Sequence, residues 1–181
     1  MKEVAGPLEL TRRTQLAATI RARSRIEGTF LLRSGTTATE YFDKYRFESD
    51  PALLRLVAQE LALLVPSHIE LLAGLELGGV SIATALSLQT GIPSVFVRKR
   101  AKEYGTCRLA EGAEVSGRRL LIVEDVVTSG GQVAKSCDDL RRLGAIIEDA
   151  LCVIDRGAGG RELLREAGVE LHALFLKSEL G

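Results

Sequence analysis

The sequence is poor in histidine and cysteine, has no excess of either charge, and contains no long apolar run. Each shortage closes off a class of function. Twenty-four Lys and Arg balance 24 Asp and Glu, so no global field draws the chain to nucleic acid or to an anionic membrane. Nothing approaches the roughly 18 consecutive apolar residues of a membrane span. The opening MKEVAGPLELTRRTQ lacks the apolar core of a secretory signal. Cys107, Cys137 and Cys152 are odd in number, widely spaced and form no CxxC pair. They read as reduced thiols of a cytoplasmic protein, with neither a zinc site nor a disulfide framework. His68 and His172 have no ligand-like spacing and read as surface or satisfied core residues. Ser129 shows no His–Asp partnership, so a hydrolase triad is unsupported. Internal repeats, low-complexity tracts and linkers are also missing.

What remains is an ordinary globular composition, 46% hydrophobic and 27% charged, in 181 residues. One domain of that size buries about 70% of the surface its unfolded chain exposes. From Asp50 onward, helix and strand patterns alternate. Asp50-Pro51 reads as a cap and first helical position, and ALLRLVAQELALL follows at helical spacing. Strands are predicted at Ile69–Ala73, Ser94–Val97, Leu120–Val123, Asp149–Ile154 and in LHALF. Helices are predicted after Gly79 up to Gly91, over Gln132–Leu143 and over Gly160–Ala167. Strands apolar throughout, each followed by a helix, imply an open parallel α/β sheet flanked by helices. The first 48 or so residues differ. Leu8–Arg23 reads as a helix, and TFLLRSGTTATEYFDKYRF as two short strands joined by a polar turn. This part is expected to form an amino-terminal hood or flap beside a core running from about residue 49 to 181, within one domain.

The most informative stretch is LLIVEDVVTSGGQV, Leu120 to Val133. Ligands of an open parallel sheet bind outside the carboxyl ends of its strands, where Glu124 and Asp125 stand. Thr128, Ser129, Gly130 and Gly131 then precede a helix, whose free N–H groups and dipole favour a phosphate by roughly 0.3–2 kcal/mol. No Lys follows in the manner of a nucleoside-triphosphate loop, and GxGxxG is absent. Two carboxylates would repel a bare phosphate, so they should meet donors, such as the vicinal hydroxyls of a ribose, with a magnesium ion close by. A ribose 5-phosphate carrying further phosphate satisfies every part.

Four aliphatics, Glu-Asp, two aliphatics and Thr-Ser-Gly-Gly resemble the phosphoribosyl-diphosphate (PRPP) signature of the type I phosphoribosyltransferases. VFVRKRAKEYGTCRLAEG resembles the mobile loop of the orotate phosphoribosyltransferases, and FLLRSGTTATEYFDKYRF resembles their orotate-binding strand pair. The resemblance runs from about Phe30 to the closing LKSELG. It implies that Val126, Val127, Thr128, Ser129, Gly130, Gly131 and Gln132 hold the 5′-phosphate end of PRPP, with Glu124 and Asp125 on the ribose. It implies further that Arg98 and Lys102 contact the diphosphate, that Lys99 reaches the PRPP of a neighbouring subunit in a homodimer, and that Tyr104 stands where many members have His. Arg33 is then expected at the orotate carboxylate, Tyr41 and Phe42 beside the pyrimidine ring, and Arg156 with Thr128 on the base. GLELGG (Gly74–Gly79) takes the place of the diphosphate loop. Leu77-Gly78 replaces a Tyr-Lys found in some members, so any contact there falls to backbone amides.

The reaction so implied is transfer of the 5-phosphoribosyl group from PRPP to orotate in pyrimidine biosynthesis. Lys102, Asp125 and Glu124 would act in catalysis, Mg2+ would be carried mainly by PRPP, and nucleic acid and membrane would not be partners. Two alternatives share the PRPP loop: a purine phosphoribosyltransferase, which has no use for Arg33 and Arg156 against a carboxylated base, and a PRPP-sensing regulator that binds nucleic acid. An orphan relative of degraded activity is a third. The intact basic loop and balanced charge favour the orotate enzyme.

Overall fold

The computed structural model describes residues 7–31, 35–100 and 108–180. Its centre is a six-stranded sheet in the order β5-β4-β3-β6-β7-β8. These strands are β3 (Leu71–Leu75), β4 (Ser94–Val97), β5 (Ala110–Glu111), β6 (Arg119–Val127), β7 (Ile146–Asp155) and β8 (Glu170–Leu176). All pairings are parallel except that of the short edge strand β5, which runs antiparallel to β4. The charged stretch after Arg98 therefore returns to the sheet, a pairing too short to show as a hydrophobic pattern. The chain winds outward from β3 in both directions, so strand order reverses between β3 and β6. Such a switch point opens a crevice at the carboxyl ends of the two strands.

Helices cover both faces. On one lie α1 (Pro7–Ser24), α2 (Tyr45–Glu48), α3 (Pro51–Ala62) and α4 (Gly78–Thr90), on the other α5 (Gly131–Arg142) and α6 (Gly160–Glu166). The first core joins Leu16, Ile20, Phe47, Val57, Leu61, Ile82 and Leu86 to Leu121 and Val123 of β6. The second joins Val133, Cys137, Leu140 and Leu164 to Leu120 and Ile122. Each such side chain, taken fully out of water, contributes about 1.5–3 kcal/mol. Asp50 caps α3 as its sequence indicated: Oδ1 accepts from the N–H groups of Ala52 and Leu53 at 3.1 and 3.2 Å, with Pro51 in the first turn.

The amino-terminal portion is less separate than a flap. α1 sends Leu16, Ala17 and Ile20 into the first core, while β1 (Arg25–Leu31) and β2 (Thr37–Phe42) form an antiparallel sheet of their own. The second predicted strand ends at Phe42; Tyr45–Glu48 turns helical, because Phe47 is wholly buried beside α1 and α3. A 3-10 turn, Lys177–Leu180, closes the described chain.

Candidate active site

The carboxyl end of β6 and the start of α5 build the site. Glu124 and Asp125 lie inside β6, which runs on to Val127, rather than after a strand ending at Val123. Successive strand side chains leave on opposite faces, so the two acids begin in different directions. Asp125 continues the face of Leu121 and Val123, toward α2 and α4; Glu124 continues that of Leu120 and Ile122, toward α5. Glu124 lines a cavity of about 170 Å³ together with Val126 to Val133. Asp125 does not line it and has no exposed surface.

The first-turn N–H groups of α5 have no intrahelical acceptor and border this cavity. Gly130, at φ 75°, makes the left-handed turn that brings the chain into the helix. A Cβ there would stand 2.9 Å from the carbonyl oxygen of Gly160. Val126 donates its N–H to Asp125 Oδ1 at 2.5 Å. That amide is engaged, and the free cradle runs from Thr128 to Val133. Thr128 and Ser129 are exposed at its mouth, as are Gly131 and Gln132.

The other crevice wall is the β3–α4 connection. Glu76 donates its N–H to Val97 O at 2.9 Å, and its Oε2 accepts the N–H of Lys99 at 3.1 Å. The diphosphate-loop position and the root of the basic segment are thereby tied together. Gly78 has a second reason to be glycine: its Cβ would fall 1.6 Å from Asp125 Oδ2. The missing side chain makes room for a carboxylate of β6.

Arg98 follows β4, half-buried, with an Nε that meets no hydrogen-bond acceptor. Lys99 is exposed. Arg156 follows β7, exposed, and donates its N–H to Val127 O at 2.9 Å, which sets its backbone beside the end of β6. Tyr41 and Phe42 take opposite faces of β2. Tyr41 is exposed, its ring 5.4 Å from that of Phe30, whereas Phe42 packs on the first core. Arg33, Lys102 and Tyr104 lie outside the described residues, as does Cys107.

Sequence reasoning missed a polar cluster behind Asp125. Lys44, between β2 and α2, places Nζ 2.5 Å from Asp125 Oδ2. Glu48 of α2, buried, stands close enough to Asp125 to feel its charge and accepts a hydrogen bond from Ser81 Oγ at 3.0 Å. Burial, then the neighbouring Asp125, pushes Glu48 up to about 8, and the same two causes push Glu124 up to about 8. Burial alone would lower Lys44, but the bond to Asp125 and the fields of Asp125 and Glu124 raise it on balance. The Asp-Lys and Arg-Phe-Glu of FDKYRFE carried the only signal: polar residues inside an otherwise core-bound helical turn.

The two histidines do meet, far from this site. His68 Nε2 lies 3.0 Å from Asp149 Oδ2 and His172 Nε2 lies 2.7 Å from Asp149 Oδ1. Asp149 sits near the amino end of β7, at the opposite edge of the sheet. Cys137 and Cys152 are buried and unbridged; burial pushes the Cys137 thiol to about 11 and Cys152 higher still. Among the described residues no helix is long and apolar enough to cross a membrane.

A family model for the phosphoribosyl transferase domain matches residues 48–167. The chain is 53% identical over 165 residues to an orotate phosphoribosyltransferase of a Nocardioides species, covering 91% of this chain and 92% of that one. Among solved structures it resembles orotate phosphoribosyltransferase of Mycobacterium tuberculosis in complex with Fe(III) dicitrate. There the TM-score is 0.85 at 31% identity, covering 94% of this chain and 99% of the other. A structure of the same enzyme in complex with PRPP matches with a TM-score of 0.81 at 27% identity and equal coverage.

Proposed function

Because the chain belongs to the orotate phosphoribosyltransferase family, we infer that it transfers the 5-phosphoribosyl group of PRPP to N1 of orotate, giving orotidine 5′-monophosphate and diphosphate for pyrimidine biosynthesis. The observation that carries this reading is the amide cradle of Thr128 to Val133 beside Glu124, at the switch point between β3 and β6.

The bond from the anomeric carbon to the diphosphate oxygen breaks as the bond from N1 forms, and the carbon becomes cationic in between. A protein speeds this by fixing both partners and by taking up the leaving charge. The 5′-phosphate sits on the first turn of α5, where N–H groups and helix dipole both favour an anion. Glu124 accepts from the ribose hydroxyls. Arg98, with its unpartnered Nε, faces the departing diphosphate, and Lys102 adds a second cation there. Arg156, tied to Val127, and Arg33 meet the orotate carboxylate, with Tyr41 against the flat ring. In this reading the magnesium ion is carried by PRPP. Such an ion neutralises the diphosphate as it leaves. The reading includes a homodimer in which the exposed Lys99 side chain serves the partner's PRPP. The reading is of a cytoplasmic enzyme.

The test is PRPP-dependent consumption of labelled orotate beside adenine, hypoxanthine and xanthine. Turnover of orotate alone is expected; turnover of a purine alone overturns the reading. PRPP-responsive binding to DNA or RNA without turnover would instead make the protein a regulator.

A further inference from the structure

Three carboxyls, Glu48, Glu124 and Asp125, gather at the end of β6, and the one ammonium among them comes from the hood. Lys44 Nζ is 2.5 Å from Asp125 Oδ2 and 5.3 Å from the centre of the Tyr45 ring. Its backbone is held on both sides: Asp43 donates its N–H to Ser24 O at 2.8 Å, and Tyr45 donates to Asp43 Oδ1 at 3.1 Å. The ammonium is therefore delivered to Asp125 by a pinned turn between β2 and α2. On the far side Glu48 lies within the field of Asp125, and Ser81 Oγ of α4 donates to Glu48 Oε2 and Gly78 O. Asp125 has no exposed surface and does not border the cavity; in this arrangement its carboxylate is engaged by Lys44 and by the N–H of Val126. It acts through its neighbours.

Resting on the PRPP-binding role of Glu124 given above, we propose that Lys44 is a positioning residue for the phosphoribosyl site: it holds the buried Asp125 carboxylate in place and favours the ionised form of the paired Glu124, the form that accepts from the ribose hydroxyls. The cluster has a simple charge logic. An ionised carboxylate offers the fullest set of acceptors to a ribose diol, yet an ionised Glu124 beside Asp125 meets like charge with little water to screen it. Lys44 acts on both Glu124 and Glu48, favouring their charged forms. Remove it, and the acids retain protons to higher pH while Asp125 loses its ionic partner. The turn that bears Lys44 also directly follows Tyr41 and Phe42 of β2, so one backbone segment serves both the base side and the ribose side.

The test compares Lys44→Met, Lys44→Arg and Glu48→Gln with the wild-type enzyme, measuring kcat, both KM values and the pH dependence of kcat/KM for PRPP. Lys44→Met is expected to raise KM for PRPP at neutral pH by about tenfold or more, with KM for orotate changed far less, and to move the acid limb to higher pH. Lys44→Arg keeps the cation and is expected to recover most of the loss. Glu48→Gln removes a competing carboxyl beside Asp125 while leaving the Lys44 ammonium in place and is expected to move the acid limb to lower pH. An unchanged PRPP KM and acid limb in Lys44→Met overturns the proposal. If that variant does not fold, an unshifted acid limb in Glu48→Gln overturns it instead. Absence of orotate turnover by the wild-type enzyme would sink the family reaction itself and is recognised before any variant is compared.

Discussion

Replacing Gly78 by alanine presses on the closest approach in the crevice. The added Cβ would stand 1.6 Å from Asp125 Oδ2 and 2.3 Å from its Cγ, where ordinary contact begins at 3.4 Å. Neither side can yield freely. Gly78 opens α4 against the sheet, and Asp125 is held by Lys44 and the N–H of Val126. Overpacking of this kind costs about 1–3 kcal/mol, and displacing Asp125 from Lys44 adds the penalty of a broken buried pair, about 3–5 kcal/mol if complete. With roughly 2–4 °C of melting temperature per kcal/mol for a chain of this size, the variant should melt several degrees lower. Should it relieve the clash by moving β6, the acids shift by the order of 1 Å, enough to cost about 10²-fold in rate. The assay is a pair of measurements, thermal unfolding by circular dichroism and initial rates with varied PRPP at saturating orotate. Gly131→Ala serves as the stability control, since a Cβ there meets nothing within 4 Å; its melting temperature should stay near wild type. A Gly78→Ala enzyme with wild-type melting and wild-type kcat/KM for PRPP would refute the packing argument.

Three further outcomes are expected. Lys102→Ala, losing a cation used mainly as diphosphate departs, should lower kcat by about 10²-fold with a smaller change in orotate KM; an unaltered kcat would assign that side chain no part in the chemistry. Glu48 and Glu124, raised to about 8, hold protons in the folded state that the unfolded chain has released above about pH 4.5, so they make stability fall as pH climbs through that window. Glu48→Gln should flatten the slope of urea midpoints over it, and an equal or steeper slope would contradict the assignment. Asp149→Ala removes the acceptor shared by His68 and His172 and should cost about 1–3 kcal/mol with kcat preserved, because the pair of imidazoles lies at the far edge of the sheet; a collapse of kcat in a folded variant would tie that edge to the site.

The parallel sheet was legible because β3, β6 and β7 are buried on both faces and so read as unbroken aliphatic runs. The phosphate cradle was legible too, since Thr128, Ser129 and the glycines are adjacent in sequence and their work is done by backbone. What escaped notice depends on contacts between distant residues. The tie between Lys44 and Asp125 spans the chain from hood to sheet, and no periodicity announces it. That Glu124 and Asp125 part company followed from strand alternation, but only once the strand was known to continue to Val127. Tyr45–Glu48 looked like strand because Tyr and Phe favour one, yet burial of Phe47 against α1 and α3 decides for helix. His68 and His172 looked unrelated for the same reason: the α3–β3 connection and β8 meet at Asp149 of β7 only in the fold.

That last pairing gives the experimenter a convenient handle. The chain's entire complement of imidazoles, two in number, is gathered at one floor of the molecule, opposite the nucleotide-handling rim. Their proton resonances form an isolated reporter. Changes in them during titration with PRPP would register motion relayed through β7 and β8, uncontaminated by direct ligand contact, and their silence would mark the rim as moving on a rigid base.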